Sequence, residues 1–321
     1  MNPNSGPAPS PPFAPIPKVL LALLLTAGLV GCQSSGDGTK ADAGGEATGE
    51  NTPSSTAQMI MADYAFGTPD SIPSGWVTFQ MENVGEETHE FTLARLPQGK
   101  TYEDARGIIE LADSLEQRLV EGTIDSTAYG KAVQQVIPEW EDEAESVGGG
   151  GPLGPGQTAR ATLRLKPGRY VISCLISSPN GRTHSFRGMN RGITVTEDSS
   201  GAEPPEADVT LRSAGREVSV EGQPRPGEQT VALRVEEPPE DLESPYNWAF
   251  VAPFGPETSV EELRERDFTD EDLHATAFRG GVGRVPAGQT RYFTVDLEPG
   301  RYAWVLYSSA AEDMVKQFTV E

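Results

Sequence analysis

Histidine and cysteine are nearly absent from this sequence, whose 321 residues hold three of the first and two of the second. Three histidines with no His-x-His pair cannot furnish more than one histidine-rich metal cluster. Cations are also scarce, 25 Lys and Arg against 48 Asp and Glu, for a formal net charge of −23. Such a chain repels nucleic acid and anionic lipid, which removes both from the expected partners. No Gly-x-Ser-x-Gly elbow is present, so Ser/His/Asp catalysis has no support. The run Gly148–Gly151 lacks the Lys-Ser/Thr of a phosphate-binding loop and reads as a linker into the next strand. The apolar run "VLLALLLTAGLV", Val19 to Val30, is too short to cross a bilayer.

That run does suit the hydrophobic region of a secretory signal, with Lys18 before it and Gly31-Cys32 after it. Its ending "LVGC" resembles the lipobox of bacterial lipoproteins. The resemblance implies removal of residues 1–31, a lipid on Cys32 and attachment to a membrane in the cell envelope, outside the cytoplasm. Residues 32–56 are small and polar, a composition that buries no core and reads as a flexible tether. Once Cys32 carries lipid, Cys174 has no partner for an internal disulfide.

What remains repeats itself once. "GQTARATLRLKPGRYVIS" at Gly156–Ser173 returns as "GQTRYFTVDLEPGRYAWV" at Gly288–Val305, and "HEFTLARLPQGKTYED" at His89–Asp104 aligns with "NWAFVAPFGPETSVEE" at Asn247–Glu262. Alternating apolar and polar residues between Gly and Pro turns predict antiparallel β-sandwiches, giving a mainly β chain with short helical insertions. The expected layout is one domain over 57–197, a linker over 198–206 and a second domain over 207–321. Thr101-x-x-Asp104 starts a helix whose apolar stripe is Ile108, Leu111, Leu115 and Leu119, and "STAYGKAVQQVIPEWEDEAESV", Ser126 to Val147, adds a second helical stretch interrupted near Pro138. In the second copy, Ser259-x-x-Glu262 and Thr269-x-x-Asp272 mark shorter helices.

The rare residues gather in "YVISCLISSPNGRTHSFRGM", which holds Cys174, His184 and Met189. With the upstream "ENVGEETHEF" and its His89, this order of strand, histidine, helical insertion, "PGRYVISC", loop, "THSFRGM" and strand resembles the cupredoxin domain of blue copper proteins. The resemblance implies one type 1 copper held by His89, Cys174, His184 and a weak axial Met189. Two imidazoles and a thiolate with an axial thioether suit copper in both oxidation states. Nine residues separate Cys174 from His184, a longer ligand loop than the smallest family members have. In the second copy His89 becomes Asn247 and Cys174 becomes Leu306, with only Met314 matching Met189, so no metal is expected there.

Two functions of different class follow. The first is a membrane-tethered carrier of single electrons, not an enzyme, with a redox protein of basic character as partner and His184 as the ligand edge presented to it. The second is a metal-free cupredoxin-like module for binding or assembly.

Overall fold

The computed structural model describes residues 55–214, 217–236, 246–253, 278–308 and 314–321. The signal-like run, Cys32, most of the tether, the helices expected near Ser259 and Thr269, and His274 lie outside the described residues.

The first copy contains β1 (Thr56–Ala62), β2 (Ala65–Gly67), β3 (Ser71–Asn83) and β4 (His89–Arg95), then helices α1 (Tyr102–Val120) and α2 (Ser126–Val136), then β5 (Glu145–Leu153), β6 (Thr158–Leu165), β7 (Gly168–Ser173) and β8 (Asn190–Ser199). The second contains β9 (Val209–Ala214), β10 (Glu217–Glu221), β11 (Gly227–Val235), β12 (Tyr246–Pro253), β13 (Gly281–Pro286), β14 (Thr290–Leu297), β15 (Gly300–Ser308) and β16 (Met314–Val320). The fold is mainly β, as the alternating pattern predicts. Its pairings are mixed, however: β1 with β3, β3 with β8, and β9 with β11 run parallel, and the other pairs antiparallel.

Two layers face each other across one apolar core. Val77, Phe79 and Met81 alternate inward on β3, and Phe79 meets Phe91 of β4 with ring centroids 5.0 Å apart. β3 belongs to both layers. Ser71–Ser74 runs beside β8 and Gly75–Glu82 beside β6, and Gly75, at φ 90°, makes the bend between them.

The repeat is reproduced in the pairing registers. Thr92 lies opposite Ser173 in the first copy, and their counterparts Phe250 and Val305 pair in the second. Tyr170 on β7 donates to the Lys166 carbonyl at 2.7 Å, and its counterpart Tyr302 donates to the Glu298 carbonyl at 3.1 Å.

The two copies are joined edge to edge. β6 pairs with β14 and β5 with β13, so both layers run on from one copy into the next, and the core is continuous across them. Each of these pairs joins equivalent strands in antiparallel sense, which is the pairing of an approximate twofold axis. Residues 197–199 extend β8, which shortens the connection between the copies.

The glycine run corrects a sequence expectation. Gly148–Gly151 is the buried middle of β5, between β4 and β13, not a linker. A Cβ on Gly149 would overlap the Phe91 carbonyl, and one on Gly150 would collide with Met81 Sδ and the Phe91 ring. The same glycines recur at Gly280, Gly281 and Gly283. The backbones approach too closely for side chains, so the segment lacks the β-branched composition that marks a strand.

Helix α1 starts where expected. Thr101 and Asp104 form a reciprocal capping box at its N-terminus. Its buried arc is Ala105, Ile108, Ile109, Ala112, Leu115 and Glu116, while Leu111 is 52 % exposed. The arc turns toward the ligand loop and carries two acids, Asp113 and Glu116, into it. α2 ends at Val136, ahead of Pro138.

Candidate metal centre

Three of the four candidate ligands sit at the end of a strand or next to one, where rigid backbone stops and a side chain can point out of the ladder, and the fourth, His184, lies on the loop between two strands. His89 opens β4, Cys174 follows the last residue of β7, His184 begins a 3-10 turn over His184–Arg187, and Met189 precedes β8. All four are buried with no measurable exposure.

Among the described residues, His89, Cys174 and His184 form a group whose donor atoms lie within 4.8 Å of one another. His89 Nδ1 is 3.0 Å from His184 Nδ1, and Cys174 Sγ is 3.4 Å from His184 Nδ1. Donors bound to one metal at about 2.0–2.3 Å lie roughly 3–4 Å apart, so this set needs only small adjustments to close on an ion. Met189 lies in the same apolar cluster as Cys174.

The long loop does not hold its ends apart, because it folds back on itself. The Ser178 amide donates to the Arg182 carbonyl at 2.8 Å, the His184 amide to the Ile176 carbonyl at 2.8 Å and the Ser185 amide to the Cys174 carbonyl at 3.1 Å. The Cys174 amide donates to the Met189 carbonyl at 3.1 Å, which ties the two ends of the loop. Helix α1 clamps this hairpin from outside. Arg182 pairs with Asp113 and, at 3.3 Å, with Glu116. Glu116 accepts from the Thr183 hydroxyl at 2.6 Å and its amide at 3.1 Å. Burial pushes the Glu116 carboxyl up to about 7 despite these donors.

Sequence reading missed two acids. Asp63 Oδ1 lies 2.9 Å from His89 Nε2, and Glu87 Oε2 lies 2.7 Å from His184 Nε2. Asp63 also accepts from the Glu86 and Glu87 amides, so it holds the loop before His89 in place. Burial raises its carboxyl, but the Glu86 amide, His89 and the Glu87 amide outweigh that and leave it below its ordinary value. Glu87 behaves likewise: burial raises it, and Tyr64, Ser178 and His184 bring it below. Asn83 secures the same loop, donating to the Glu87 carbonyl at 2.8 Å and the Leu153 carbonyl at 2.7 Å. Gly85 leaves room for all this, since a Cβ there would stand 2.7 Å from His89 Nε2 and overlap Asp63.

The expectation that His184 presents a ring edge to solvent is overturned. Tyr64 packs edge-on against it with centroids 5.4 Å apart, and Glu87 closes its Nε2 side. Arg187 lies over the Tyr64 ring at 3.5 Å, and the Tyr64 hydroxyl donates to Glu87 at 2.7 Å. Tyr64 takes this position at φ 68°, strained for a bulky residue.

In the second copy, Leu306, the counterpart of Cys174, is buried on β15, and Asn247, the counterpart of His89, lies on β12 opposite Ser308. Neither residue type supplies imidazole or thiolate.

No family of known sequences and no curated protein matches the chain. Among solved structures, dithionite-reduced auracyanin from the photosynthetic bacterium Roseiflexus castenholzii aligns over 45% of this chain and 98% of its own, at 17% identity and a TM-score of 0.27. Auracyanin A, a blue copper protein from Chloroflexus aurantiacus, aligns over 44% and 98%, at 15% identity and a TM-score of 0.26. A copper-containing nitrite reductase from Thermus scotoductus aligns over 83% of this chain and 61% of its own, at 10% identity and a TM-score of 0.21. Likeness at this level assigns no residue a role.

Proposed function

We propose that this chain is a blue copper protein of the cupredoxin kind, an envelope lipoprotein that passes single electrons through one mononuclear site. The observation that carries the reading is the buried convergence of His89 Nδ1, His184 Nδ1 and Cys174 Sγ, with the Met189 backbone bonded to those of Cys174 and His184. Copper in such a donor set cycles between Cu(II) and Cu(I) and so takes up or releases one electron.

The residues of the chain do the rest. β4 and β7 fix His89 and Cys174 on neighbouring strands, and α1 holds the loop that brings His184 to them. A frame this constrained keeps its geometry through a change of charge. The cover over His184, made of Tyr64, Glu87 and Arg187, is the proposed place of electron exchange. The net charge of −23 fits a basic redox partner. Cys32 would carry the lipid that keeps the protein at a membrane.

The test is copper loading of the full chain. The wild type should bind one copper and show an intense visible thiolate-to-copper band, and Cys174→Ser should bind without that colour or not bind. Colourless wild type with Cys174 still open to alkylation after unfolding would leave the metal-free binding module as the reading. The second copy, which keeps the strands with Asn247 and Leu306 at the positions of His89 and Cys174, supports that second reading.

A further inference from the structure

Both candidate imidazoles are backed by a carboxylate on the side away from the donor cluster. Asp63 stands behind His89 at 2.9 Å and Glu87 behind His184 at 2.7 Å. The two acids come from different loops, Asp63 from the β1–β2 turn and Glu87 from the β3–β4 loop, so one local motif does not account for both. The rings are fully buried, while the carboxylates keep 31% and 22% side-chain exposure. Each acid thus spans from water to a ring that water does not reach.

This arrangement settles a choice that each imidazole has to make. A neutral ring carries its proton on one nitrogen and a lone pair on the other, and the partner of the protonated nitrogen decides which. A carboxylate at Nε2 accepts a proton and offers none while ionised, so it keeps Nε2 protonated. Both Nδ1 lone pairs then face each other and the thiol across 3.0 and 3.4 Å. A cation placed among these donor atoms would accept from both nitrogens and the sulfur at once. The acids also raise the basicity of the rings they hold.

Resting on the copper reading above, we propose that Asp63 and Glu87 are positioning residues of the metal centre. They orient both rings with Nδ1 toward the ion, and their charge biases the centre toward its oxidised state, so it works at a lower potential than its donor set alone would set. Two carboxylates and a thiolate place three negative charges around the ion, which favours the doubly charged state over the singly charged one. Arg187 opposes this bias. Its Nη1 lies 3.8 Å from Glu87 Oε1, and its guanidinium covers Tyr64 above His184. Carboxylates and guanidinium therefore push the potential in opposite directions.

Spectroelectrochemical titration of the copper-loaded full chain tests the charge bias through that difference in sign. Asp63→Asn and Glu87→Gln keep the shape and a hydrogen-bond acceptor but lose the charge. Each should keep the visible band and weaken Cu(II) relative to Cu(I) about tenfold, a rise of about 59 mV for a one-electron couple. Arg187→Gln should lower the potential. A general loosening of the site would move all three variants the same way. Potentials at or below wild type for both carboxamide variants, or a rise for Arg187→Gln, overturn the proposal. Imidazole nitrogen NMR of the metal-free wild type tests the orientation without copper. Both Nε2 atoms should carry protons, and an unprotonated Nε2 on either ring overturns the proposal. Wild type that binds no copper would defeat the reading of the previous section instead, and the NMR result would still stand.

Discussion

Ala161 on β6 lies directly opposite Phe293 on β14, and each is the other's counterpart in the internal repeat. Gly150 on β5 faces its own counterpart, Val282 on β13, in the same way. Two self-paired positions define an approximate twofold axis through the chain. The protein is built like a homodimer whose subunits have been joined end to end, with the cluster of His89, Cys174 and His184 in one half.

A chain ending at Ser199 should therefore not stay a monomer. Without β13 and β14, the edges of β5 and β6 lose their partners, and open edges seek another chain. Sedimentation velocity should show dimers or larger species. A monodisperse, folded monomer would mean that the second copy is not needed to cover these edges.

Gly85→Ala should damage the site without touching a ligand. The added Cβ would overlap Asp63 and press on His89 Nε2, separating the pair. Copper affinity should fall by about 10–100-fold, the usual cost of losing an outer partner of a ligand. Competition against a chelator of known affinity measures this, and an unchanged dissociation constant would show that the loop gives way easily.

Arg182→Ala should release the ligand loop from α1. It leaves Asp113 and Glu116 buried without their cation, at a cost of about 2–3 kcal/mol. Urea denaturation reads the loss. The His184 amide, which donates to the Ile176 carbonyl, should exchange faster with deuterium. Exchange as slow as in the wild type would show that the hairpin holds itself.

Glu141→Gln should stabilise the protein at alkaline pH and have little effect at acid pH. Burial, and then the nearby Asp142, push the Glu141 carboxyl from 4.5 up to about 7, and neither oxygen has a partner among the described residues. A folded acid with a raised value binds protons that the unfolded chain has already released. Stability is then lost as pH rises from about 4.5 toward 7 and is level above that. The gain from glutamine at pH 8 should be on the order of 2 kcal/mol and should vanish near pH 4. Denaturation curves at the two pH values check the sign.

The sequence by itself determined what rests on local pattern. Period-two alternation marked β3, β6, β11 and β14, because a half-buried strand has to alternate. Thr101 and Asp104 marked the start of α1, because a capping box spans only four residues. The gathering of Cys174, His184 and Met189 raised the question of a metal, and the resemblance to the cupredoxin domain, which adds His89, implied the donor set. Tertiary structure decided what depends on distant segments meeting. Asp63 and Glu87 are ordinary acids in an acidic chain, and only the approach of the β1–β2 turn and the β3–β4 loop makes them partners of the rings. The exposure of His184 was misjudged for the same reason: Tyr64, far away in sequence, covers it. Gly148–Gly151 carried no strand signal because its pattern was set by neighbouring backbones, which exclude a Cβ. Periodicity records which face a residue turns to the core, but not which other segment meets it there.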